Sequence, residues 1–155
     1  MIKTIEKSVE IRGDRAAIWN VIESPETYTK WCEPFCVGTF YEGAWRMGNT
    51  VRFIGLDENG VRGGLVSEVA TYEAGHQVTF RHKGFVQGDQ DVFDTPEVAA
   101  WAGCEEGYVL EGGPDIYTLH VKCQVTEDMY DWMDATWGEA VGRIKAIAEG
   151  TESAT

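Results

Sequence analysis

The chain has 155 residues, 43% of them apolar and 12% aromatic, with six tryptophans; this is enough for one packed core and excludes a disordered chain. Its 26 acidic residues against 13 basic ones leave a net charge of -13, which repels phosphate backbones and anionic lipid and excludes nucleic-acid binding as a function. No run of about 18 apolar residues offers a membrane span, and Met1–Arg12 lacks the apolar centre of a signal peptide, so a cytoplasmic protein is expected.

Ile2–Arg12 reads as a strand, with Ile5, Val9 and Ile11 on one parity and Glu6, Ser8 and Glu10 on the other. Asp14 is placed to cap a short helix through Ala16-Ala17-Ile18-Trp19 to about Ile22. Ser24-Pro25-Glu26 repeats the start signal for a second short helix ending near Trp31.

From Val37 the pattern changes to strands and turns: Val37–Trp45, Val51–Asp57, Val61–Tyr72 and Gln77–Lys83. Asn59-Gly60 predicts a two-residue hairpin turn. That register sets Phe53 opposite Val66 on the outer face and Ile54 inside. A bulge at Gly63-Gly64 would reverse it, and both orientations stay open. A second two-residue turn at Ala74-Gly75 pairs Val69 with Phe80, Glu68 with Arg81 and Ser67 with His82. Leu65, Ser67, Val69, Val78, Phe80 and His82 then share an inward face, with Glu68, Thr79, Arg81 and Lys83 outside.

Gly84–Glu106 interrupts the sheet, with a helix start at Asp94-Thr95-Pro96-Glu97 and about two turns through Val98–Ala102. Tyr108–Leu110 and Ile116–Val125 form a last hairpin around Gly112-Gly113-Pro114. Thr126 is placed to cap a final helix of about 24 residues, stopping at Gly150. Met129, Met133, Trp137, Ala140, Ile144 and Ile147 lie on one stripe of that helix and should cover the sheet. Gly138 and Gly142 lie on its opposite face, where a partner helix from a second copy of the chain would fit; a homodimer is one expected partner. One domain over residues 1–150 is expected, with a disordered tail at Thr151–Thr155.

The order of elements resembles the helix-grip (START-like) superfamily known as SRPBCC, and within it the heat-shock-protein-90 ATPase activator-like family. Ala17-Ile18-Trp19, Pro25 and Trp31 resemble that family's opening, followed by Gly43-Ala44-Trp45, Gly48 and Val51-Arg52-Phe53. Gly64-Leu65-Val66-Ser67-Glu68-Val69 resembles its central strand. Trp101, Glu106–Leu110, Tyr117-Thr118-Leu119-His120-Val121, Ala135-Thr136-Trp137 and Ile144–Glu149 continue the likeness to the end. The resemblance implies an α+β fold, a curved antiparallel sheet wrapped around a long C-terminal helix, with a cavity between them. It does not name a ligand.

No phosphate loop, GxSxG, HExxH or EF-hand series is present. Cys32, Cys36, Cys104 and Cys123 lack the spacing of a zinc site, so free thiols, no metal and no cofactor are expected. The expected function is therefore non-enzymatic binding of a small apolar or aromatic molecule. The ligand-contacting set is Trp31, Trp45, Leu65, Ser67, Phe80, His82, Tyr117, Met129, Met133 and Trp137, with Trp101 as a lid over the cavity mouth. Each of these has a plainer reading as core packing. A protein-interaction or co-chaperone module is the alternative. A cyclase- or hydrolase-type enzyme is the third reading, with His82 as its one candidate base.

Overall fold

Alternation of apolar and polar residues along strands, and a 3.6-residue apolar period at the C-terminus, fold into one curved sheet gripping one long helix. The computed structural model describes residues 1–150; the tail expected to be disordered, Thr151–Thr155, lies outside them. The strands are β1 (Ile2–Arg12), β2 (Phe40–Glu42), β3 (Thr50–Leu56), β4 (Arg62–Glu73), β5 (Gln77–Gln87), β6 (Gln90–Val92), β7 (Glu105–Gly112) and β8 (Ile116–Thr126). The helices are α1 (Arg15–Glu23), α2 (Pro25–Trp31), α3 (Pro96–Trp101) and α4 (Tyr130–Glu149). The sheet is antiparallel in the order β1-β8-β7-β5-β4-β3-β2, with β6 paired to β5.

Asp14 caps α1 through a bond accepted from the Ala17 N–H, and Pro25 opens α2, as the start signals predict. Val37–Trp45 contributes a strand over Phe40–Glu42 alone. Between Thr126 and α4 a 3₁₀ turn covers Glu127–Met129, so the α-helix begins at Tyr130 and is shorter than expected; the Thr126 side chain makes no capping bond. Gly150 closes the helix in the left-handed conformation. Trp137, Ala140 and Ile144 are buried against the sheet, while Met129 is exposed because it precedes the helix proper. Gly138 and Gly142 face open space.

The β3–β4 hairpin differs from its expected turn by one residue. Leu56 pairs with Arg62, and Asp57 and Val61 enclose a three-residue loop, closed by the Gly60 N–H donating to the Asp57 carbonyl. Gly60 alone of the turn pair takes positive φ (77°), as a type I turn followed by a left-handed residue requires. A one-residue slip moves every side chain to the other face. Phe53 therefore pairs with Leu65 and packs on the main core, while Ile54 joins Val66 and Val86 in a small cluster on the opposite face. The open question of Phe53 or Ile54 is settled by turn length, with no register shift at Gly63-Gly64 in this pair.

The β4–β5 hairpin also has a longer turn, with Glu73 paired to Gln77. An unpaired Ala70 restores the register, so Val69↔Phe80, Glu68↔Arg81 and Ser67↔His82 form as expected, for a different reason. A second irregularity leaves Lys83 unpaired between His82 and Gly84. Past that bulge the parity of β5 reverses, which turns Phe85 to the same side as His82 and leaves Gly84 and Val86 on the other.

Candidate functional site

Most of the space between sheet and helix is filled. Trp31, Trp45, Phe80, Tyr108 and Trp137 are all buried. Their rings meet edge-on or tilted at centroid distances of 4.9 Å (Trp45–Phe80), 5.8 Å (Tyr108–Trp137) and 6.1 Å (Trp31–Trp137). Trp31 also donates its indole N–H to the Val21 carbonyl at 3.1 Å, tying α2 to α1. Trp31, Trp45, Phe80 and Trp137 thus form the core, not a cavity wall. Tyr117 packs at the edge of the same core, with the Arg15 guanidinium 4.8 Å from its ring centroid.

A cavity of about 480 Å³ opens next to this ring cluster, beside the start of α4. Leu65, His82 and Phe85 line it from β4 and β5, and Glu106, Cys123 and Val125 from β7 and β8. Ala100, Trp101 and Cys104 close it from the α3 segment, Met129 from the 3₁₀ turn and Met133 from α4. Of the expected contacts, Leu65, His82, Met129, Met133 and Trp101 come together here. Ser67 stands behind the wall.

The α3 segment is fastened over the cavity by backbone bonds. The His82 N–H donates to Cys104 O, and the Gly103 N–H to His82 O, each at 2.9 Å. Trp101 then packs edge-on against Phe85 at 4.8 Å. It both lines the opening and anchors its own segment.

Polar groups converge on the cavity floor. The Ser67 hydroxyl is 2.6 Å from Nδ1 of His82, fixing the ring in a buried position. Nε2 of His82 is 3.7 Å from Oε1 of Glu106, beyond hydrogen-bond distance. Tyr108 donates its phenol proton to the other Glu106 oxygen, Oε2. Cys123 brings its thiol to 4.0 Å from Oε1. Burial, and then the Glu106 carboxylate, hold the Tyr108 phenol well above the ordinary phenol range. Burial, with the same carboxylate, raises the Cys123 thiol strongly. Neither group is poised to ionise near neutrality, so neither is an activated nucleophile.

Glu106 is the polar residue that the sequence reading missed. The hairpin pattern places this strand at Tyr108–Leu110 and the family resemblance at Glu106–Leu110, neither of which assigns Glu106 a role, whereas β7 begins at Glu105. Extending the parity of buried Tyr108 and Leu110 back by two residues puts Glu106 inside, opposite Cys123 and Phe80. The outward charge pairs follow the expected pattern: Arg81 meets Glu105 at 2.9 Å and Glu68 at 3.7 Å, and Lys83 meets Glu68 at 3.1 Å. Among the described residues no group of three His, Cys, Asp or Glu side chains is placed to hold a metal, and no helix is long and apolar enough to cross a membrane.

No protein-family model matches the chain, and no curated protein matches it in sequence. Solved structures do match it. The Aha1 dimer from Colwellia psychrerythraea is 18% identical, with a TM-score of 0.70 over 97% of this chain and 99% of that one. CalU16 from Micromonospora echinospora is 15% identical, with a TM-score of 0.66 over 99% of this chain and 78% of that one. DynU16, of the dynemicin biosynthetic locus, is 18% identical, with a TM-score of 0.65 over 95% of this chain; the match spans about half, 48%, of its length. These likenesses, with the strand order and the C-terminal helix, establish the helix-grip fold that the sequence resemblance implied.

Proposed function

We propose that the protein binds a small, largely apolar molecule without transforming it, in the cavity between β4, β5, β7, β8 and the α3 segment. The supporting observation is the contrast between the middle of the grip and the space beside the start of α4. The middle is packed by rings, while that space, about 480 Å³, has Leu65, Phe85, Trp101 and Met133 on its walls; a larger hollow against α1, about 670 Å³, is edged by the charged and polar Asp14, Arg15, Asn20 and Glu23. Cavities of this size and lining are suited to small ligands, and Met side chains adapt to different shapes. In this reading Leu65, Met129 and Met133 contact the ligand, His82 and Glu106 orient it, and Trp101 acts as a lid.

Native mass spectrometry of freshly purified protein, followed by a thermal-shift screen of apolar and aromatic compounds, tests the reading. A co-purifying species, or a compound that raises the melting temperature, supports it. A bare mass with no shift across the screen rejects it.

The enzymatic alternative draws on one observation, the unbonded Nε2 of His82 facing a carboxylate oxygen. It requires turnover of a bound compound that is lost in His82→Gln with binding retained. The co-chaperone alternative draws on the Aha1 fold relation, and the homodimer on the dimeric state of that structure. The four unpaired cysteines support a reducing, cytoplasmic setting.

A further inference from the structure

The charges around the cavity are of one sign. Glu106 lies at its floor and Glu97 and Asp128 at its rim, and no lysine or arginine lines it. Glu97 and Asp128 pair with no basic side chain among the described residues. The chain as a whole carries -13, so its field adds to the local one.

The floor itself is incomplete. The Glu106 side chain is 15% exposed and the His82 side chain 6%. One Glu106 oxygen is taken by the Tyr108 phenol. The other, Oε1, has only the weak thiol donor of Cys123 at 4.0 Å and the imidazole Nε2 at 3.7 Å. When Nδ1 donates its proton to Ser67, Nε2 presents a lone pair to the same space. Two acceptors 3.7 Å apart can both be reached by one nitrogen at about 2.9 Å from each. A nearly buried carboxylate without a full set of donors is costly, and a cation seated at hydrogen-bond distance from it offsets part of that cost.

We propose that the ligand is an apolar amine, bound as its ammonium ion, with the nitrogen between Oε1 of Glu106 and Nε2 of His82 and the apolar body against Phe85, Trp101 and Met133. This rests on the ligand-binding reading above and narrows it. A fatty acid would set its carboxylate against Glu106. A neutral alcohol fits the walls but gives a weaker bond, because charge-assisted hydrogen bonds are about twice as strong as neutral ones.

The test is calorimetric titration of the wild-type protein with decylamine, decan-1-ol and decanoate at neutral pH. Decylamine should bind at least about tenfold more tightly than decan-1-ol, and decanoate most weakly. Glu106→Gln should bring decylamine to within about threefold of decan-1-ol while decan-1-ol itself still binds. Raising salt to about 0.5 M on the wild-type protein separates the floor contact from surface attraction, because exposed charges are screened there and a buried pair is not. An amine preference that persists in salt supports the assignment even if the variant fails to fold. Decanoate binding as tightly as decylamine, an unchanged ratio in a folded Glu106→Gln, or parity of amine and alcohol in high salt overturns the assignment alone. Absence of binding by all three probes overturns the cavity reading beneath it.

Discussion

Ser67 and His82 face each other across β4 and β5, with Oγ of the serine 2.6 Å from Nδ1 of the ring, and both are buried. Replacing the hydroxyl leaves a buried ring nitrogen without its partner. Ser67→Ala should therefore cost about 1–3 kcal/mol of stability, read from the urea midpoint. A change below a few tenths would show that water replaces the serine.

Ala100 stands at the exposed edge of the cavity, on α3. Ala100→Trp adds bulk at the opening without touching the ring core. It should weaken every cavity ligand by at least about tenfold and leave the melting temperature of the free protein nearly unchanged. Undiminished binding would place the ligand elsewhere.

Gly64 has φ of 135°, and a Cβ there would stand 1.8 Å from the Phe53 carbonyl oxygen. Backbone, not a flexible side chain, occupies that space. Gly64→Ala should destabilise by more than about 2 kcal/mol, since the β3–β4 pairing must open to admit a methyl group. Denaturant unfolding decides the matter; a loss smaller than about 0.5 kcal/mol would contradict the pairing described here.

Gly138 and Gly142 present the opposite case, because an added Cβ meets nothing within 4 Å at either position. Each glycine costs a helix interior roughly 0.5–1 kcal/mol relative to alanine. Gly138→Ala and Gly142→Ala should each raise the melting temperature. If α4 pairs with a second copy through this face, light scattering will show the dimer weakened as stability rises.

Alkaline titration should reveal the buried phenols. Burial is the main cause that pushes Tyr41 up to about 12, with Glu23 next, and it holds Tyr28 and Tyr108 well above the ordinary range. The unfolded chain loses these protons first, near its ordinary phenol pKa of about 10. Their contribution to stability is whole below that pH and is lost as pH rises through it toward the folded values. Tyrosinate absorbance should rise in part while the fold holds, then jump with the loss of circular dichroism. All six tyrosines titrating together in folded protein would contradict the packing around Tyr28 and Tyr108.

Local chemistry made much of this architecture legible. The Asp14 cap, Pro25 at a helix start, the parity of β1 and β8 and the apolar stripe of Trp137, Ala140 and Ile144 are each set by residues within a turn or a strand of one another. The inward ladder of Ser67, Val69, Val78, Phe80 and His82 was legible for the same reason, although a longer turn and a compensating bulge at Ala70 produce it.

Other features depend on where distant segments meet. Which of Phe53 and Ile54 faces the core turns on one residue in the Asp57–Val61 loop, and a period of two makes that slip a complete inversion. The bulge at Lys83 points Phe85 into the cavity, and no periodicity announces an unpaired residue. Whether the aromatic rings line a cavity or fill it depends on how Trp31, Trp45, Phe80, Tyr108 and Trp137 interlock, and these come from four separate elements and the loop between β2 and β3. The sequence determined by itself that a sheet would grip a helix over an apolar interior. The tertiary structure decided where that interior stays open and that Glu106 sits at its floor, because packing and register are set by contacts between residues far apart in the chain.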